Sequence, residues 1–258
     1  MATVHPFESA RHKYLRAYEH LQSLKGILTR VGARGGWAAS CEVSFDAEST
    51  EAVVRIASLP TVPSDLPPTV GDVLGNLRQS LDHLAWACVA LGATPVLTRP
   101  QAVYFPIVDD VATWETKAKK ALPGVGDPHL AAIRDVQPFS GSRPGDALAR
   151  LRDQSNPDKH RVSVSVSHQA LDAHATLRTN WEVSHPSEVV GAGSTISVGD
   201  EILRLPLRPF VGQPLRLHVV GEVQCVPVLE GGSGPLLEDL WEMYLATQGI
   251  LSDCEAVT

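Results

Sequence analysis

Arg78, Asp82 and His83 fall within one short run, Asn76-Leu77-Arg78-Gln79-Ser80-Leu81-Asp82-His83-Leu84-Ala85-Trp86. A guanidinium can hold a phosphate and offset charge that builds on it, and an imidazole can carry a proton near neutral pH. A carboxylate beside them can hold either group in place. A second run, Asn156-Pro157-Asp158-Lys159-His160-Arg161, offers the same three chemistries again. Asn156-Pro157-Asp158 reads as a turn in which an Asn or Asp side chain bonds to the local backbone. In a strand that follows it, Lys159 and Arg161 share a face and could line an anion site, while His160 takes the other face as a second proton-transfer candidate. Two polar clusters beside apolar helices point to one composite site.

The elements that must position these residues are legible in the hydrophobic pattern. From residue 6 to about residue 31, Tyr14, Leu15, Tyr18, Leu21, Leu24, Ile27 and Leu28 recur at three- and four-residue steps, the period of an amphipathic helix. Residues 37–45 and 51–59 read as a hairpin, and a Pro-rich stretch over 59–68 precedes a second long helix over about 70–91. Residues 103–107 look extended, and short helices are expected over 112–121, 128–135 and 145–152. From Arg161 the composition turns to alternating Val, Ser and Thr, with strands expected near 177–183, 195–198, 201–207 and 215–226. A glycine-rich linker leads to a closing helix over 235–250, with Leu236, Leu237, Leu240, Trp241, Tyr244 and Leu245 on its apolar side. The expected class is α+β: a long-helix pair with an inserted hairpin, a β-rich C-terminal half and a closing helix. A mainly helical region over 1–160 and a β-rich region over 161–258 would form one integrated unit.

On the second helix Arg78 and Asp82 are four residues apart and can pair, whereas His83 lies about 140° round the axis from Arg78. A two-fold axis beside the helix would bring Arg78 and His83 of two chains into a shared cleft.

The run from Arg78 to His83 resembles the R-x4-6-H motif of HEPN-domain ribonucleases, helical proteins that dimerise so that two copies of the motif form a metal-independent RNA-cleaving site. The resemblance implies that His83 acts on the ribose 2′-hydroxyl and the leaving group, and that Arg78 holds the scissile phosphate. It covers about ten residues. Gln79 stands where the family often has Asn, Asp or His, and the β-rich remainder is not part of a minimal HEPN bundle. Arg78 to Ala85, Phe105-Pro106-Ile107, Gln137-Pro138-Phe139 and Asp158 to Arg161 together also resemble signposts shared by a group of uncharacterised bacterial proteins.

Two other readings stand beside the nuclease. Arg78, Asp82, His83 and the 158–161 segment could form a buried polar network with no catalytic role. Asp82, His83, Asp158 and His160 are also sound ligands for zinc or manganese in a metal-dependent hydrolase, although no H-x-x-x-H or H-E-x-x-H spacing occurs. No G-x-S-x-G motif is present, and Gly191-Ala192-Gly193 lacks the third glycine of a dinucleotide fingerprint. His12, His20, His168, His174, His185 and His218 read as surface or packed histidines. The four cysteines contain no C-x-x-C pair, so neither a zinc ribbon nor a disulfide framework is implied.

The net charge of −7 argues against a broad nucleic-acid-coating surface, so any RNA contact must come from a local cleft around Arg78, Lys159 and Arg161. No apolar run approaches the ~20 residues of a membrane span, and the first residues lack the basic and apolar regions of a leader. The expectation is a cytoplasmic homodimer with no cofactor and no metal.

Overall fold

In the computed structural model, which describes residues 5–48, 50–92, 100–158, 164–184, 187–188, 191–230, 232 and 234–258, the first periodic stretch becomes α1 (Glu8–Gly32). The second becomes α2 (Leu66–Leu91), which starts inside the Pro-rich stretch. Pro67 and Pro68 occupy its first turn, where a helix has no use for backbone N–H donors, so residues that break a helix interior can open this one. α3 (Val111–Ala121), α4 (Asp127–Asp135), α5 (Arg143–Asp158) and α6 (Leu236–Ala256) follow. With eight strands, these six helices make the described chain α+β.

The chain divides into two units, each drawn from separate stretches of sequence. The helical unit comprises Met1–Gly26, Ser64–Ser165 and Leu237–Thr258. In it α2 buries Leu66, Val70, Val73, Leu74, Leu77, Leu81, Leu84 and Cys88 at helical spacing. Ser80, fully buried on the same helix, donates to the Ala10 carbonyl of α1 at 2.8 Å. Tyr14 of α1 stacks on Tyr244 of α6 with ring centroids 4.2 Å apart. Two members of the expected apolar stripes face outward instead: Leu15 is 54% exposed and Leu245 57%. On α6 the buried stripe runs through Leu240, Met243, Thr247, Ile250 and Cys254, which are three or four residues apart.

Between α2 and α3, residues 103–108 form neither helix nor strand, and Phe105, Pro106, Ile107 and Val108 are buried. A buried strand normally satisfies its backbone through its neighbours. This segment has no ladder, so side chains must do the work.

The sheet unit comprises Ile27–Pro63 and Val166–Leu236. Its strands are β1 (Ala38–Asp46), β2 (Glu51–Ser58), β3 (Val166–Thr179), β4 (Glu182–Val183), β5 (Ser187–Glu188), β6 (Thr195–Ile196), β7 (Glu201–Arg208) and β8 (Leu217–Leu229). All the pairings are antiparallel, in the order β4-β7-β2-β1-β8-β3-β6, with β5 alongside β7. The β1–β2 hairpin therefore lies in the middle of the sheet, between β7 and β8. Ala39, Ile56, Ala170, Val223 and Cys225 form one buried cluster, and Ala52, Val54, Leu205 and Leu207 form a second. β3 starts at Val166, and its register shifts once, between Ala170 and Asp172, so the faces of its residues change over by one step there.

Candidate functional site

Arg78 and Asp82 pair across one turn of α2, with Arg78 Nη2 3.0 Å from Asp82 Oδ1. Both groups are also tied to one residue of this segment. Arg78 Nη2 donates to the Phe105 carbonyl at 2.6 Å, and the Phe105 N–H donates to Asp82 Oδ1 at 3.0 Å. The two side chains thus imitate the edge of a neighbouring strand, offering a donor and an acceptor where a ladder would have placed them. The Arg78 side chain is 11% exposed and that of Asp82 28%.

The same logic repeats along the segment. Fully buried Gln137 accepts from the Val108 N–H at 3.1 Å through Oε1 and donates to the Ile133 carbonyl at 3.0 Å through Nε2. Arg152 Nη1 on α5 donates to Asp109 Oδ2 at 2.7 Å, and Asp110 caps α3 by accepting from the Thr113 N–H at 2.7 Å. Three signposts read separately in the sequence, around Arg78 to Ala85, Phe105 to Ile107 and Gln137 to Phe139, are therefore parts of one fastening. Arg152 escaped the sequence reading, and Gln137 entered it only as part of a signpost with no role, because a buried glutamine and an arginine late in a helix carry no periodic signal. Their spacing to the FPI run becomes visible only in space.

His83 leaves the Arg78–Asp82 face, as the helix geometry requires. Its Nδ1 lies 2.5 Å from the Ser9 hydroxyl in the first turn of α1. Partial burial lowers its pKa, the nearby Lys13 ammonium lowers it further, and Asp82 opposes both. Both lowering causes favour the neutral ring. Neither Ser9 nor Lys13 could be singled out in sequence, since the contact joins residues 74 positions apart.

Lys159, His160 and Arg161 lie outside the described residues. The backbone just before them is described and corrects one expectation: Asn156, Pro157 and Asp158 form the last turn of α5, not a separate turn. Among the described residues no group of three or more His, Cys, Asp or Glu side chains gathers in a way that could hold a metal ion. No helix among them is long and apolar enough to cross a membrane. The remaining histidines include His20, whose Nδ1 lies 3.7 Å from Asp72, and His168, which is only 5% exposed in the sheet unit.

No family model, curated protein or solved structure matches the chain.

Proposed function

We propose that the chain is a non-enzymatic interaction protein in which Arg78 and Asp82 fasten the 103–110 segment and hold no substrate. The observation that carries this reading is that both side chains bond to the Phe105 backbone, N–H and carbonyl alike. A catalytic arginine has to offer its guanidinium to a phosphate. Withdrawing it here would strip a donor from the Phe105 carbonyl and the counter-charge from Asp82 in a largely buried setting. Gln137, anchoring the segment from its other end, supports the same role.

A second reading, an HEPN-like metal-independent endoribonuclease working as a homodimer, is favoured by His83. A neutral, half-buried imidazole can accept a proton at pH 7, and Lys13 beside it could contact phosphate in place of Arg78.

The two readings separate when purified protein, Arg78→Ala and His83→Ala are each incubated with a mixed RNA pool in chelator and also melted. The fastener predicts no cleavage by any of the three, a melting temperature several degrees lower for Arg78→Ala, and one near the parent's for His83→Ala. Cleavage by the parent that His83→Ala abolishes at unchanged melting temperature would establish the ribonuclease instead. Cleavage seen only after divalent metal is restored would favour a metal-dependent hydrolase.

A further inference from the structure

Arginines of the sheet unit differ in their partners. Arg55 lies 3.3 Å from Glu201, and Arg204 lies 2.6 Å from Glu51 and 2.8 Å from Glu201, so each is neutralised by carboxylates. Arg178 and Arg216 form no ion pair among the described residues. They line an open depression of about 400 Å³ with Thr179, Asn180, Leu217 and His218, and none of these six is acidic.

The frame under these cations is fixed. Arg178 pairs with His218 across β3 and β8, and Thr179 pairs with Leu217, so Arg178 and His218 project from the same face. Asn180 extends the ladder by one step. Its N–H donates to the Arg216 carbonyl at 3.3 Å, and its Oδ1 accepts from the Arg216 N–H at 2.7 Å. Its Nδ2 donates to the Pro214 carbonyl at 2.9 Å, and Trp181 Nε1 holds the Gln213 carbonyl of the same loop at 3.2 Å. No carboxylate in the lining offsets the two charges. In a chain of net charge −7, this concentration of positive charge is not a by-product of general basicity.

We infer that this open end of the β3–β8 pair binds the phosphate group of a nucleotide unit. Guanidinium forks match phosphate oxygens in pairs, and a shallow, open, polar depression suits a phosphate carried by a larger ligand better than an enclosed apolar molecule. Phe210, 52% exposed in the loop that leads to Arg216, is the ring we assign to stacking on the attached base. The nucleotide is either free or part of a single strand; the phosphate chemistry is common to both. The site stands on the sheet unit alone and is independent of the role of Arg78.

The test is a titration of the full chain, followed by the backbone amide resonances of Arg178 to Asn180 and Arg216 to His218, with adenosine monophosphate, a single-stranded RNA oligomer and inorganic phosphate. The expected result is a saturable shift of these amides with the monophosphate, the oligomer or both, and a smaller one with phosphate. Binding should weaken at least tenfold in Arg178→Ala/Arg216→Ala, whose changed residues are exposed and whose melting temperature should stay near the parent's. A free nucleotide site binds the monophosphate at least as tightly as the oligomer, and a strand site prefers the oligomer. Three results overturn the proposal: no shift with either nucleotide ligand, unchanged affinity in the double variant, or an equal loss in the charge-matched control Arg16→Ala/Arg143→Ala. Inorganic phosphate binding as tightly as both nucleotide ligands would overturn the part given to Phe210.

Discussion

At the scale of single residues, Arg78 and Asp82 are bound to backbone, and their removal should be felt first as lost stability. Asp82→Ala removes the acceptor of the Phe105 N–H and leaves Arg78 without its counter-charge. Truncating one member of such a partly buried, charge-assisted group costs about 2–4 kcal/mol, which a denaturant titration of the variant against the parent would read directly. His168 gives a pH-dependent counterpart. Burial lowers its pKa from the ordinary value of 6.5, and its buried Nε2 has no hydrogen-bond partner among the described residues. Above that value the ring is neutral in both folded and unfolded chains. As the pH falls below it, the unfolded ring takes up a proton that the folded ring resists, so stability declines until the folded ring also titrates. The melting temperature should therefore drop between pH 7.5 and 5.5, and less steeply in His168→Leu; an identical slope in that variant would remove His168 as a cause. The Arg78–Asp82 pair was legible in sequence from its four-residue spacing. Its receiver was not, because a backbone amide carries no mark of being buried outside a sheet.

At the scale of elements, helix existence followed from periodicity, while helix ends and exposed faces followed from contacts that periodicity does not contain. α2 begins earlier than its apolar pattern because prolines are tolerated in a first turn. Leu15 and Leu245 fit a stripe by spacing and yet face outward, since a helix buries whichever arc its neighbours cover. Close backbone approach is equally hidden, and two helical glycines show it with opposite signs. A Cβ on Gly145 of α5 would stand 2.6 Å from the Gln137 carbonyl oxygen, whereas one on Gly249 of α6 would meet nothing within 4 Å. Gly145→Ala should destabilise by about 1–3 kcal/mol as α5 is pushed from the Gln137 turn. Gly249→Ala should stabilise by about 0.5–1 kcal/mol through a less flexible unfolded chain. Thermal melts of the two variants should move in opposite directions; shifts of the same sign would contradict the close approach at Gly145.

At the scale of the whole molecule, composition along the chain suggested a change near residue 160, but the sheet is assembled from two distant stretches. β2 pairs with β7, and β1 pairs with β8, so the N-terminal hairpin supplies the two central strands of a sheet whose other strands come from beyond residue 165. Alternation reveals a strand but not its neighbour, which is why the hairpin was legible and its place was not. A fragment of residues 161–258 would leave β7 and β8 with no ladder between them. It should show neither the strand circular dichroism nor the amide dispersion of the full chain, and adding a peptide of residues 33–63 should restore part of both. A well-dispersed spectrum from the fragment alone would refute the interleaved assembly.

This interleaving also governs how the protein is made. On the ribosome the β1–β2 hairpin is synthesised more than a hundred residues before either of its flanking strands. At translation speeds of about 5–20 residues per second, both of its edges stay open for many seconds. Such unpaired edges are where nascent chains join the wrong partner. Glu42, Glu48 and Glu51, in and beside the hairpin, give that waiting intermediate a negative charge that discourages two copies from adding to one another.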